Sequence, residues 1–295
     1  MKKKLLIKKY FAQGGRLTLA NGQYRAVVKK WLWSFLAEDL GARGDVTSDA
    51  LIANNKLTGA IIIAKANGVV AGVEEVKWFL SQQGLRVRVY KKDGARVRAG
   101  ERVLMINGKI KDILKTERTA LNVLQRMSGI ATAGANLAAR CGALTLICPT
   151  RKTHWGLMDK KAVAAGGGGT HRLGLDDFIL IKDNHLKFLN GKIADKALVW
   201  KKKNIFWEIE VDNWAQMVNY AKLNPGALML DNFTPARAAQ AVKFLRAHHP
   251  DIIVEISGGV NAANISRYAR AGADVISMGS LTHSVHALDL SLEIL

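Results

Sequence analysis

The chain has 295 residues, 49% of them hydrophobic, and a net charge of +20, so it is long enough for two domains or for a barrel with an appendage. No apolar run approaches the ~20 residues of a membrane-spanning helix, and Lys8 and Lys9 interrupt the first apolar run before a signal-peptide core could form. We therefore expect a cytoplasmic protein. The two cysteines, Cys141 and Cys148, cannot form a disulfide framework or a four-ligand zinc site, which agrees with a reducing compartment.

Residues 1–30 form a basic leader that we expect to be partly flexible. No acidic residue occurs before Glu38, and Gly14-Gly15 interrupts the leader. This charge predicts non-specific attraction to nucleic acid or another polyanion, although it would equally attract a strongly anionic substrate. From Trp31 the apolar positions fall at helical spacing, and this helix should end at Gly41.

Residues 31–116 are predicted to form a small α/β sandwich domain that carries no chemistry. Apolar stretches bounded by turn residues predict strands at 57–64, 68–71, 85–90 and 103–106. A helix is predicted near residues 74–82.

A long helix is predicted to begin at Glu117, with Thr116 as its N-cap and apolar residues on one face. Arg118 falls on a different face of this helix. Its position alone leaves two interpretations open, a solvent-exposed first turn or a contact with a ligand.

Residues 117–295 alternate short apolar strands with helices, which is typical of βα units around a parallel sheet. Strands are predicted at 143–148, 178–181, 205–211, 227–230, 252–256 and 274–278. An open doubly wound sheet would accommodate them, but polar residues at the end of every strand favour an incomplete barrel. The predicted fold is therefore α/β, an incomplete parallel α/β barrel with an amino-terminal α/β sandwich domain. Residues 281–295 are expected to pack back on the amino-terminal domain.

Basic residues just past two of these strands predict an anion site, because ligands of parallel α/β folds bind beyond the carboxyl ends of the strands. Four consecutive glycines nearby let the backbone approach a phosphate or carboxylate. Solvated loop charges are the alternative, but three successive segments repeat the arrangement. The cations are Arg151, Lys152, His171, Arg172 and Lys182.

Acidic and glycine-rich positions follow the later strands. Glu208 and Glu210 would share one face of a strand, which a buried parallel strand rarely tolerates without a reason. Asp231 follows the next strand, and the alternative for these acids is simple pairing with lysines. Ser257-Gly258-Gly259 and Gly279 would supply backbone amides to a phosphate.

Blocks of sequence spread over nearly the whole chain after Trp31 resemble one enzyme family and occur in its order. The blocks are Thr150-Arg151-Lys152-Thr153, the glycine run with His171-Arg172, Lys182-Asp183-Asn184-His185, Glu117-Arg118-Thr119-Ala120-Leu121-Asn122, Glu208-Ile209-Glu210-Val211, Leu230-Asp231-Asn232-Phe233, Ser257-Gly258-Gly259 and Gly279-Ser280-Leu281-Thr282-His283-Ser284. They resemble quinolinate phosphoribosyltransferase, also called nicotinate-nucleotide pyrophosphorylase (carboxylating).

The resemblance implies phosphoribosyl transfer from 5-phosphoribosyl-1-pyrophosphate to quinolinate with decarboxylation, which yields nicotinate mononucleotide, CO2 and pyrophosphate for NAD biosynthesis. It implies Mg²⁺ as cofactor and a homodimer in which Arg118 enters the partner's site. Lys152, Glu210 and Asp231 would be catalytic, with Glu210 and Asp231 also contacting the ribose and Mg²⁺. The implied carboxylate binders are Arg118, Arg151, His171, Arg172 and Lys182, and the implied phosphate binders are Ser257, Gly258, Gly259 and Gly279.

Two departures from the family pattern stand beside the Lys152 segment, namely Pro149 in the place of an acidic residue and Trp155 in the place of a proline. We expect them to affect substrate affinity rather than chemistry. Two alternative functions stay open, a related molybdenum-transport branch that serves another substrate and a basic nucleic-acid-binding protein on the same scaffold.

Overall fold

A computed structural model describes residues 2–190 and 192–295, and the chain divides into two compact units. The barrel unit comprises Met1–Gln13, Asn136–Lys152 and Gly168–Ser280. The amino-terminal unit comprises Gly14–Ala135, Thr153–Gly167 and Leu281–Leu295. Met1, the first residue of the predicted leader, lies outside the described residues.

The secondary structure consists of helices and strands that follow one another in both units, with a short 3₁₀ turn at Gly14–Arg16. The helices are α1 (Lys2–Tyr10), α2 (Gly22–Leu40), α3 (Val46–Leu51), α4 (Val73–Gln82), α5 (Ile110–Cys141), α6 (Leu157–Ala165), α7 (Asp183–Phe188), α8 (Ala194–Lys202), α9 (Trp214–Ala221), α10 (Pro235–His248), α11 (Ile265–Ala269) and α12 (Ser280–His283). The strands are β1 (Leu57–Ala64), β2 (Gly68–Val69), β3 (Arg86–Val89), β4 (Arg96–Val97), β5 (Arg102–Lys109), β6 (Leu146–Pro149), β7 (Ile179–Ile181), β8 (Trp207–Val211), β9 (Ala227–Asp231), β10 (Ile253–Ser257), β11 (Val275–Met278) and β12 (Leu290–Ile294).

The barrel unit is built on a six-stranded sheet with the order β6-β11-β10-β9-β8-β7, and every neighbouring pair is parallel. The strands are apolar and buried on both faces, as expected where helices connect parallel neighbours. β6 and β7 lie at opposite ends of this order. The predicted incomplete parallel α/β barrel is therefore confirmed.

Alternation along each strand divides its residues between the barrel interior and the surrounding helices. The interior positions at the amino-terminal ends are apolar and share one core cluster. A second set of interior positions lies two residues further along the strands and consists of Leu180, Glu208, Met229, Glu255 and Ser277. A third set, at the carboxyl ends, consists of Lys182, Glu210, Asp231, Ser257 and Gly279. All five members of this third set were predicted site residues.

The leader is divided between the two units, with its residues up to Gln13 in the barrel unit and residues 14–30 in the amino-terminal unit. Residues 2–10 form α1, and its partly buried Leu6, Ile7 and Tyr10 pack against the barrel core cluster. Phe11 is fully buried in the barrel core cluster, and the Tyr10 ring stacks on Phe206 with 4.0 Å between centroids. The Lys3 ammonium lies 2.9 Å from an Asp274 carboxylate oxygen. The first part of the leader therefore packs against the amino-terminal ends of the barrel strands.

The amino-terminal unit contains an antiparallel sheet with the order β12-β1-β5-β3 and a separate β2-β4 pair. Residues 281–295 were expected on this domain, and β12 pairs with β1 from Ala60↔Ile294 to Ala64↔Leu290. Helix α2 ends at Gly41 as predicted but begins at Gly22, with the Asn21 side chain capping its first amides.

The predicted start of the long helix at Glu117 is wrong, because α5 begins at Ile110. Thr116 is buried inside the helix, and its hydroxyl donates to the carbonyls of Asp112 at 2.8 Å and Ile113 at 3.0 Å instead of capping. The predicted domain boundary between residues 116 and 117 accordingly falls within a continuous helix.

None of the helices within residues 2–190 and 192–295 combines the length and the apolar character needed to cross a lipid bilayer.

Candidate active site

The carboxyl ends of the barrel strands carry acids and lysines side by side. On neighbouring strand ends, the Lys182 ammonium forms a direct ion pair with the Glu210 carboxylate. Burial raises the pKa of Asp231, and the nearby Glu210 charge raises it further, whereas Lys182 and Lys152 lower it. The structure therefore brings together four of the predicted site residues around one charged centre.

The segment after β10 forms a tight turn beside this centre. Gly258 and Gly259 have φ values of +81° and +64°, the left-handed region that favours glycine. A Cβ on Gly258 would lie 2.7 Å from the Asn232 backbone nitrogen, and that nitrogen donates to the Ser257 carbonyl at 3.0 Å. Only glycine fits so close to the β9 turn. Such a turn presents backbone amides without side chains in the way, as phosphate binding requires.

Two of the predicted arginines interact electrostatically. Arg151 is exposed after β6, whereas Arg172 is buried on the loop between α6 and β7. Burial lowers the pKa of Arg172 and the Arg151 charge lowers it further, while Glu208 and Asp177 act in the opposite direction. Two guanidinium groups held close together destabilise each other unless an anion lies near them. This arrangement suits a ligand with carboxylates.

His171, directly before Arg172 in the chain, lies between two buried acids. Its Nε2 is 3.2 Å from Glu255 Oε2 and 3.4 Å from Glu208 Oε2, and all three side chains are buried. The sequence analysis named His171 but missed Glu208 and Glu255 as its partners. The period of the strands could have indicated both acids, because Glu208 shares a strand face with the predicted site residue Glu210 and Glu255 shares one with Ser257.

The neighbours of His171 act in opposite directions on the charge of its ring. Burial disfavours the charged His171 ring, but the Glu255 and Glu208 carboxylates outweigh burial and raise its pKa to about 9. The Arg172 amide donates to Nδ1 at 2.7 Å, which favours the neutral ring with its proton on Nε2. In both states Nε2 carries a proton that faces the acids. Burial, together with the Glu255 charge, raises the pKa of Glu208 to about 7.

One histidine and two carboxylates within 4.8 Å of one another also form a possible donor set for a divalent metal ion. A metal-bound histidine normally donates a hydrogen bond from its second ring nitrogen. In His171 that nitrogen accepts a hydrogen bond from the Arg172 amide instead. The ring instead lies at ion-pair distance from both acids.

Arg118 is the one predicted site residue that belongs to the amino-terminal unit, where it is exposed on α5. Trp155, one of the departures from the family pattern, lies in the same unit. Its ring packs against Phe35 with 5.0 Å between centroids and lies 5.0 Å from the Arg126 guanidinium. Its amide donates to Asp159 at 3.2 Å. Trp155 is therefore anchored by its own local contacts.

Comparison with known proteins gives concordant results over most of the chain. The family model "Quinolinate phosphoribosyl transferase, N-terminal domain" matches residues 45–128, and the model of the C-terminal domain matches residues 130–293. A probable nicotinate-nucleotide pyrophosphorylase (carboxylating) of Archaeoglobus fulgidus is 39% identical over 259 residues, which cover 85% of this chain and 98% of that protein. The nicotinate-nucleotide pyrophosphorylase (carboxylating) of Mycobacterium leprae is 36% identical over 268 residues, 88% of this chain and 94% of that protein.

A solved structure shares the fold. The nicotinate-nucleotide pyrophosphorylase from Francisella tularensis aligns with a TM-score of 0.81 and 32% sequence identity, and the alignment covers 92% of this chain and 96% of that one.

Proposed function

Because the chain belongs to the quinolinate phosphoribosyltransferase family, we propose that it transfers the phosphoribosyl group of 5-phosphoribosyl-1-pyrophosphate to quinolinate and releases CO2 and pyrophosphate. The observation that carries this proposal is the third set of interior positions, where Lys182, Glu210 and Asp231 meet at the carboxyl ends of β7, β8 and β9. A pyridine dicarboxylate and a sugar carrying three phosphate groups need a positive site with a few acids. The barrel rim has that composition.

Quinolinate would bind between the arginines. Arg151 and Arg172 each offer a planar guanidinium that can bind a carboxylate through two parallel hydrogen bonds. His171 supports Arg172 from below, since the Arg172 amide donates to its ring nitrogen. The two carboxylates of the substrate relieve the repulsion that lowers the pKa of Arg172.

Phosphoribosyl pyrophosphate would lie along the remaining rim. The left-handed turn Ser257-Gly258-Gly259, with Gly279 after the next strand, suits the 5′-phosphate. Glu210 and Asp231 suit the ribose and Mg²⁺, because the Glu210 charge raises the pKa of Asp231 and a cation would relieve that repulsion. Bound there, Mg²⁺ would neutralise charge on the pyrophosphate.

The mechanism follows from positioning and charge. The pyridine nitrogen attacks C1 of the ribose as the bond to pyrophosphate breaks, while Lys152 neutralises the departing group. Glu210 and Asp231 stabilise the cationic sugar. The nitrogen becomes a pyridinium, so the bond to the C2 carboxylate breaks with loss of CO2, and the electron pair left on C2 takes up a proton. No side-chain nucleophile takes part.

Assembly is a further part of the proposal. Arg118 is exposed on α5, where it is accessible to a second copy of the chain, and a homodimer would place it in the partner's site. Mixing Arg118→Ala protein with Lys152→Ala protein should then restore part of the activity that each lacks alone. Restoration would require sites built from two chains, and its absence after subunit exchange would contradict this arrangement.

The exposed lysines of the leader and the two cysteines support two further parts of the proposal, namely polyanion binding and a cytoplasmic location. Lys4, Lys8 and Lys9 are exposed on α1 and would give non-specific, salt-dependent polyanion binding. Cys141 and Cys148 are both free thiols, which suits a reducing cytoplasm.

The experiment is an assay of the purified full-length chain with quinolinate, phosphoribosyl pyrophosphate and Mg²⁺. We expect nicotinate mononucleotide and CO2 in equal amounts, with nicotinate a poor acceptor because it lacks the second carboxylate. Turnover of nicotinate but not quinolinate would contradict the proposal. Salt-sensitive RNA or DNA binding without turnover would favour the nucleic-acid alternative.

A further inference from the structure

We propose that residues 11–13 of the leader position the loop that carries His171 and Arg172 and thereby set the affinity for quinolinate. The inference rests on the proposed function, in which Arg172 binds a substrate carboxylate. Phe11 and Gln13 are positioning residues in this account, because neither reaches the substrate itself.

The Phe11 carbonyl is the first attachment point. It accepts hydrogen bonds from the Thr170 amide at 2.6 Å, the His171 amide at 3.2 Å and the Thr170 hydroxyl at 3.3 Å. The Cys148 thiol also points at it, at 3.7 Å. A single backbone oxygen thus fixes two successive residues directly before Arg172.

Gln13 is the second attachment point. Its amide donates to the Thr170 hydroxyl at 3.1 Å, and its side-chain nitrogen forms a short hydrogen bond to Asp177 Oδ2. The same Asp177 oxygen accepts from the Leu173 amide at 2.9 Å. Contacts on both sides of Arg172 therefore run back to the leader.

The loop needs such attachment because its backbone is strained. His171 has φ +50°, which is uncommon for a residue with a side chain and persists only where the surroundings enforce it. Gly169 approaches the leader so closely that a Cβ would lie 2.4 Å from the Phe11 carbonyl oxygen. The Phe11 ring meets the His171 ring edge-on at 5.2 Å. The leader therefore enforces the conformation that places Arg172.

The alternative role for the leader is only to fill the barrel core. A substitution of Gln13 distinguishes this role from the positioning of the loop. The Gln13 side chain contributes a polar hydrogen bond rather than apolar volume, so Gln13→Met preserves size while it removes the donor. Gln23, exposed on α2, gives a matched control, Gln23→Met. Asp177→Asn weakens the same contact from the other side and serves as the second variant should Gln13→Met fail to fold.

The experiment combines two measurements on full-length protein. Hydrogen exchange should become faster in the peptide covering residues 168–177 of Gln13→Met, with core strands unchanged. The KM for quinolinate should rise about tenfold while the KM for phosphoribosyl pyrophosphate and kcat stay within twofold, and Gln23→Met should match the wild type.

Unchanged exchange in residues 168–177, or an equal rise of both KM values, would overturn the inference. Hydrogen exchange is measured without substrate, so it tests whether the leader positions the loop independently of whether the protein catalyses the proposed reaction. A wild-type chain that turns over no quinolinate, together with faster exchange in Gln13→Met, would refute the proposed function and retain the positioning.

Discussion

Replacement of Asp159 by alanine should destabilise the amino-terminal unit. The Asp159 carboxylate is fully buried and accepts from Arg126 Nε at 2.9 Å and Nη2 at 2.8 Å. It also accepts from the Trp155 amide at 3.2 Å and from the Thr153 hydroxyl. Alanine would leave a guanidinium and two further donors without their shared acceptor.

The expected loss is about 3 kcal/mol of unfolding free energy. Removing one partner of a buried pair typically costs about 3–5 kcal/mol, because the other charge stays uncompensated. The lower end applies, since the Arg126 side chain is 19% exposed and its guanidinium also donates to the Thr282 carbonyl at 3.0 Å. Its contact with the Trp155 ring offsets a further part of the loss.

The assay is urea unfolding monitored by far-UV circular dichroism. It is extended to a double-mutant cycle with Arg126→Met. We expect the double variant to be at least ~1 kcal/mol more stable than the sum of the single losses predicts, because it removes the orphaned charge. The control is Asp49→Ala, which breaks an exposed pair with Lys111 and should cost less than about 1 kcal/mol. Additive losses in the cycle, or a loss no larger than the control's, would refute the reasoning.

The other predictions concern the barrel unit. Lys182→Met should lower kcat/KM by about 100-fold or more in a steady-state assay, whereas Lys187→Met, which breaks an exposed pair on α7, should stay within about twofold. Gly169→Ala should lower the free energy of unfolding in urea by about 1–3 kcal/mol, because the added Cβ would lie 2.4 Å from a backbone oxygen. The control is Gly15→Ala, whose Cβ would have no atom within 4 Å and which should lower it by less than about 0.5 kcal/mol. Although burial disfavours the charged ring, the Glu255 and Glu208 carboxylates raise the pKa of His171 from 6.5 to about 9, so its contribution to stability is present below pH 6.5 and lost as the pH rises through 9. Unfolding curves at several pH values should show this decline and should lose it in His171→Gln; an unchanged profile in the variant would contradict the assignment.

The sheet of the barrel could be predicted from the sequence because its strands are buried on both faces and read as continuous apolar runs. Strand β9, for example, was expected at 227–230 and ends one residue later, at Asp231. Alternation then places Lys182, Glu210 and Asp231 on the interior side, so much of the candidate site follows from strand period alone.

Contacts between distant segments could not be predicted in the same way. The cluster of His171, Glu208 and Glu255 joins a loop and two strands that are not adjacent in the sheet. The strand period indicates which face each acid occupies, but it does not show that both acids meet His171. The role of α1 was hidden because lysines dominate its composition. The start of α5 was misplaced because Thr116 has good capping chemistry, yet burial inside the helix determined its bonds.

The most direct test of the proposed anion site is the affinity for quinolinate measured by titration calorimetry on the wild type and on Arg172→Ala. The control is Arg267→Ala, which changes an exposed arginine on α11. The account predicts that Arg172→Ala weakens binding at least tenfold, as expected for the loss of a hydrogen bond to a charged group, and that Arg267→Ala binds like the wild type. Equal affinity in all three proteins would contradict the placement of the substrate carboxylates at the barrel rim.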